Sequence, residues 1–177
     1  MSDAARPPAA GAGIINLDAL EFVGLRERAR ARGQSEPPAR FDAQLAPIGE
    51  KIGARKLGCN LTVIPPGKAA FPQHSHRVNE ELFYIVEGTG ELRLGDAAHA
   101  VRAGDVVACP PGGPATAHQF VNTGDAPLKF LAVSTMEYPD VCEYPDSNKF
   151  LVRTGFAADD FFTIGRRGEA LDYWDSE

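Results

Sequence analysis

The sequence predicts an all-β domain, a sandwich or barrel of short strands. Over residues 56–135, apolar runs recur at intervals of roughly 8–12 residues, the rhythm of such folds. Gly, Pro, Asn and Asp punctuate them, and no helix-period stretch of useful length interrupts the series. A chain of 177 residues, 44% hydrophobic and 24% charged, is also long enough to bury one real core.

Each strand can be justified in turn. "KLGCNLTVI" ends at Pro65-Pro66-Gly67. "ELFYIVEG" ends at Gly88-Thr89-Gly90. "ELRLGDAAHAVRAGD" alternates around a Gly-Asp turn and reads as a hairpin. "DVVACPPGG", "AHQFVNTGD" and "PLKFLAVST" complete the series. Residues 1–13 are rich in Ala, Pro and Gly and are expected to be disordered. Residues 14–55 form an N-terminal arm, with a short helix within 18–32 and a loop at "GQSEPPARF". Residues 136–177 form a C-terminal extension too aromatic for simple disorder. Its Phe156, Phe161, Phe162, Tyr173 and Trp174 are expected to pack on the barrel or on a second subunit. Its two Tyr-Pro-Asp triplets, at Tyr138 and Tyr144, read as turns.

Composition excludes several function classes. A formal charge of −6 argues against general nucleic-acid binding, which needs a basic face. The basic cluster "RERARAR" (26–32) reads as the solvated face of a helix or loop. No stretch approaches the ~20 apolar residues of a membrane span. "MSDAARPPAAGAG" lacks a basic n-region and an apolar h-region, so no signal peptide is expected and the cytoplasm is the expected location. Cys59, Cys109 and Cys142 show no paired spacing and suit a reducing compartment. Cys109 either lines the barrel or packs as a small side chain.

The histidines carry the chemistry. In a strand, residues i and i+2 share a face about 7 Å apart, so His74 and His76 project together. Glu81 follows at an odd offset, but "RVN" reads as a turn that resets the parity and puts Glu81 on the face of Phe83 and Ile85. A second strand carries His118, with Phe120 and Asn122 on the same side. Three imidazoles and one carboxylate on one interior surface suit one divalent first-row metal per chain: Fe, Mn, Zn or Ni. The bland alternative is a set of ordinary core or surface histidines. His99, in the hairpin, is expected to be exposed.

These residues resemble the two motifs of the cupins. The first runs through Gly67, His74, His76, Glu81 and Gly88, with one residue more than usual after Gly67. The second runs through Gly104, Pro110, Gly112, His118 and Asn122, with an insertion, "GPATA" (113–117), before the histidine. The resemblance covers roughly 56–135. It implies a double-stranded β-helix, the cupin jelly-roll barrel, here with irregular N- and C-terminal extensions. It also implies His74, His76, Glu81 and His118 as the metal ligands. "RVNEELFYIVEGTGELRLG" and "EYPDSNKF" look like small bacterial cupins labelled sugar-phosphate-isomerase-like.

That label implies Lewis-acid isomerisation of a small organic substrate. An iron-dependent dioxygenase and a non-catalytic metal-binding or sensor barrel are the alternatives. Isomerisation needs a base, for which Glu80 is the candidate, its bland role being a solvent-facing charge. An anionic substrate would need cations, for which Arg77, Arg93, Arg102 and Lys149 are available. The insertion at 113–117 reads either as a shaped rim of the barrel mouth or as a longer turn. The expected partners are a small-molecule substrate and a second copy of the chain in a homodimer, without nucleic acid or membrane.

Overall fold

A computed structural model describes residues 13–157, 159–169 and 171–176. The expectation for residues 1–13 therefore lies, but for Gly13, outside the described residues. The arm enters through a short 3-10 turn at Leu17–Ala19, strand β1 (Val23–Gly24), helix α1 (Leu25–Ala31) and strand β2 (Gln44–Pro47). The helix is shorter than the predicted window. Leu25 and Ala29, one turn apart, are its buried residues, and exposed Arg26 pairs with Glu36 at 2.8 Å, so the basic cluster is a solvated helix face.

The barrel strands follow the predicted order. They are β3 (Leu57–Ile64), β4 (Ser75–His76), β5 (Glu81–Glu87), β6 (Thr89–Leu94), β7 (Ala97–Arg102), β8 (Val106–Cys109), β9 (His118–Val121) and β10 (Leu128–Thr135). The hairpin β6–β7 turns at Gly95, whose φ of 56° suits glycine. One wall is a six-stranded sheet in the order β1-β2-β3-β10-β5-β8.

The C-terminal extension is not irregular. It forms β11 (Asp140–Tyr144), β12 (Lys149–Arg153) and β13 (Phe162–Arg166), joined to β4 in a sheet ordered β13-β12-β11-β4. An antiparallel bridge between His74 and His118 ties this sheet to the three-stranded β7-β6-β9 sheet, completing the second wall. Both Tyr-Pro-Asp triplets do lie at turns: a bend precedes β11 and a 3-10 turn, Pro145–Ser147, follows it.

Alternation places the core between the walls. On β5, Phe83 and Ile85 are buried while Leu82 and Tyr84 face outward. Phe83, Phe120 and Phe130 interlock with ring centroids 4.6–5.7 Å apart. A second apolar cluster (Leu20, Ala46, Ile48 and Leu61) packs the arm on the first wall. No helix among the described residues is long and apolar enough to cross a membrane.

Candidate metal centre

The four predicted ligands converge at one place in the barrel. His74 and His76 flank Ser75 on and beside β4, Glu81 opens β5, and His118 opens β9. The bend that brings Glu81 inward is held by buried Asn79. Its Nδ2 donates to the Glu137 carbonyl at 3.0 Å, and its Oδ1 accepts from Glu137 N at 2.8 Å and Thr135 Oγ1 at 3.0 Å. Glu81 Oε2 then lies 2.8 Å from His118 Nε2, 3.5 Å from His76 Nε2 and 4.0 Å from His74 Nε2.

The far side of each ring explains why the Nε2 atoms are the ones presented. His74 Nδ1 faces the Pro72 carbonyl at 3.0 Å and His118 Nδ1 faces the Thr116 carbonyl at 3.4 Å. His76 Nδ1 faces Asp140 Oδ2 at 2.6 Å. Each acceptor favours the proton on Nδ1 and leaves the Nε2 lone pair pointing inward. Glu81 Oε2 and His118 Nε2 are buried, close and without a hydrogen bond of good geometry. Two orphaned polar atoms in a dry site are costly unless something binds both. A divalent cation fits this donor set, three imidazole nitrogens and one carboxylate oxygen.

The electrostatics agree. Burial raises the Glu81 carboxyl, but His118 and the neighbouring His74 and His76 outweigh it and bring it down to about 2. Burial, with His118 beside it, lowers the His74 imidazole to about 4. Burial also disfavours charge on His76, yet its hydrogen bonds to Asp140 and Cys142 prevail and raise it to about 10. Without an ion, the Glu81 carboxylate has an imidazolium at His76 and a neutral imidazole at His74 among its neighbours.

Three residues here escaped the sequence reading. Asp140, Cys142 and Tyr144 alternate along β11, which pairs with β4 so that Cys142 lies opposite His76. Asp140 is buried, and its Oδ1 accepts from Val78 N at 3.1 Å, so both of its oxygens are committed. Cys142 Sγ lies 3.4 Å from His76 Nδ1. The 2.6 Å contact between Asp140 and His76 is a hydrogen bond, too short for two ligands of one ion, which stand about 3 Å apart around bonds near 2.1 Å. The Tyr144 ring stacks on His74 with centroids 6.0 Å apart, and burial pushes its phenol above the usual range. The detectable signal was polar and aromatic alternation in "DVCEY"; nothing local said which strand it would join.

Other expectations sort by face. Glu80 is exposed, and its backbone pairs with Thr135. It precedes Glu81 on the opposite side of the strand, which removes it from reach of the cluster as a base. Arg77 is tied to Glu143 at 2.7 Å and Arg93 to Asp146 at 2.9 Å, while Arg102 is exposed on β7. Lys149 alone of those cations lies beside the site, with its Nζ 5.7 Å from the Tyr144 ring centre. His99 is exposed on β7. Cys109 is buried opposite Glu81, and burial with that carboxylate pushes its thiol up to about 12. The 113–117 insertion forms a 3-10 turn at Pro114–Thr116; just before it, Gly112 N donates to the His76 carbonyl at 2.7 Å, fastening the loop to β4.

Comparison with known proteins agrees with this architecture. Residues 60–134 match the family described as the cupin domain. An uncharacterized protein of Methanocaldococcus jannaschii is 36% identical over 76 residues, 43% of this chain and 58% of that protein. A protein of Streptomyces halstedii is 30% identical over 79 residues, 45% of this chain and 54% of that protein. The chain thus spans little more than half the length of these two curated relatives. A crystal structure described as a sugar phosphate isomerase from a cupin superfamily, from Silicibacter pomeroyi, superposes with TM-score 0.70 at 27% identity. That superposition covers 90% of this chain and 97% of the other. The part of the jelly-roll that gathers the three histidines and Glu81, residues 60–134, is a cupin domain, and the fold around it is shared with a cupin-superfamily structure over 90% of this chain.

Proposed function

We propose that the chain binds one divalent transition metal through His74, His76, Glu81 and His118 and isomerises a small carbonyl substrate, a sugar phosphate or a close analogue. The observation that carries the reading is the convergence of three Nε2 atoms on one buried, unpartnered carboxylate oxygen. The likeness to the Silicibacter pomeroyi protein supports the isomerase branch. A bound ion of this kind supplies Lewis-acid polarisation of a substrate carbonyl. The chain's own residues do the rest. Asp140 holds His76 in the tautomer that offers Nε2. The phenylalanines beneath His118 keep water from the floor of the site. The Tyr144 ring stacks on His74, and its phenol, held protonated by burial, is the donor this reading assigns to a substrate oxygen.

The test is elemental analysis of protein purified without chelator, with an aldose–ketose assay on the loaded protein. Near-stoichiometric Zn, Mn or Ni with interconversion of sugar phosphates is the expected result. Near-stoichiometric iron with oxygen consumption would replace isomerisation by dioxygenation. No metal, and none taken up from excess, would leave a binding barrel. Full metal retention in His76→Ala and Glu81→Ala would overturn the ligand assignment.

A further inference from the structure

The inner face of the second wall continues beyond the metal centre, and what lies there is cationic. Register fixes the neighbours: Asp140 is opposite Arg153, Cys142 opposite Leu151 and Tyr144 opposite Lys149. Directly paired residues share a face. Since Cys142 is also opposite His76, Lys149 and Arg153 stand on the same face as the His76 side chain. Contacts agree: Lys149 lies over the Tyr144 ring, whose other neighbour is His74.

Arg153 is held in an unusual way. Its guanidinium carbon is 4.2 Å from the Phe156 ring centre and 5.7 Å from that of Phe162. Its Nε is buried and has no hydrogen-bond partner. Among the described residues, neither Arg153 nor Lys149 makes an ion pair. The Tyr138 phenol, which burial keeps neutral, is a hydrogen-bonding neighbour of the guanidinium but carries no charge to balance it. The nearby carboxylates are engaged elsewhere: Asp140 with His76 and Val78, and Asp160 with Thr154 and Ala157. The other arginines of this sheet have counterions, Arg166 with Glu169 and Arg167 with Glu143. A guanidinium walled by two phenyl rings, with a dry unpaired donor, is costly until an anion arrives.

We propose that Arg153 and Lys149 form an anion-binding subsite that anchors the substrate of the metal centre by a phosphomonoester or carboxylate group. The assignment rests on the metal-centre reading above. β12 is two strands from β4, a separation of about 10 Å, which the inward side chains shorten. At about 1.5 Å a bond, a chain of roughly three to five carbons spans what remains. The subsite lies on β12, outside the residues that match the cupin domain, so it can differ among barrels with the same four ligands.

The experiment is calorimetric titration of the metal-loaded full chain with ribose 5-phosphate, ribonate and neutral ribose. Ribose 5-phosphate is expected to bind at least about tenfold more tightly than ribose. Arg153→Gln is expected to remove most of that difference, with metal content and Tm unchanged, and Lys149→Gln to remove part of it. Arg153→Lys, which keeps the charge, is expected to retain part of the difference and covers the case in which the glutamine variant folds poorly. Ribonate binding in place of the phosphate would assign the subsite to carboxylates. Equal binding of ribose, its phosphate and ribonate, or unchanged anion binding in Arg153→Gln, would overturn the proposal. The isomerase reading fails separately: anion binding lost in Arg153→Gln, but no isomerisation by the unsubstituted protein, removes the reaction and keeps the subsite. Isomerisation with an unchanged KM in Arg153→Gln does the reverse.

Discussion

Asp140 shows how much of the site depends on one carboxylate that binds no metal. Its two oxygens are divided between His76 Nδ1 and the Val78 N–H. In Asp140→Asn the oxygen stays with Val78, so the amide NH₂ faces His76 and pushes that ring's proton onto Nε2, the nitrogen aimed at the metal. Metal affinity is expected to fall about 10–100-fold, measured by competition with a chelator. Unchanged affinity would show that the tautomer is set elsewhere. The raised His76 value gives a second prediction at this scale. With its imidazole held at about 10, the metal-free protein carries that proton throughout neutral pH, and an incoming ion must displace it. Glu81, held at about 2, and His74, at about 4, release none over the same range. Displacing that proton should make affinity rise by about tenfold per pH unit on the alkaline side of neutrality and level off above His76's value. Calorimetry at mildly alkaline pH in buffers of different ionisation enthalpy would detect the proton that His76 releases; a heat independent of the buffer would refute the coupling.

Strands and turns were legible in proportion to how local their causes are. The corner between β5 and β6 turns on Gly88 at φ 86°, where a Cβ would also press on the backbone of Pro127 and Leu128. Gly88→Ala is expected to cost about 2 kcal/mol or more, a fall in Tm of roughly 4–8 °C by thermal melting, and an unchanged Tm would mean that the corner rearranges freely. Such turn residues, with alternation as clean as Leu82 out and Phe83 in, explain why β3 and the strands from β5 to β10 could be read directly. His74, His76 and Glu81 were equally local, with a single bend to place. β11, β12 and β13 were missed because Pro139, Pro145 and Gly155 crowd the segments before and between them and read as loop. The pairing of β11 with β4 is also long-range: His76 and Asp140 are 64 residues apart, and no nearby residue specifies that partner. Asp140, Tyr144 and Arg153 were hidden for the same reason.

At the scale of the whole molecule, the unsatisfied feature is the free edge of the first wall. β8 ends the six-stranded sheet, and its outer face carries Val106 at 63% exposure beside Tyr84 at 42%, with Leu82 at 42% next to them. An edge strand with an apolar outer face is a template for association unless it is blunted by charge, and no Lys, Arg, Asp or Glu falls within Val106–Cys109. The aromatic tail does not cover it: Tyr173 and Trp174 are mostly exposed, so of the two expected partners, the barrel and a second subunit, the barrel does not bury them. A two-fold axis at this face would set Val106 and Tyr84 of one copy against those of another, an isologous contact of the kind that closes a dimer. Light scattering behind size exclusion should then report about twice the 19.0 kDa of the chain. Val106→Glu should reduce it to the monomer without lowering metal content, because β8 turns this side chain away from Glu81. A monomer before substitution would leave this face without a partner of its own kind, and a dimer that survives Val106→Glu would move the interface elsewhere, with the exposed aromatic tail the next surface to substitute.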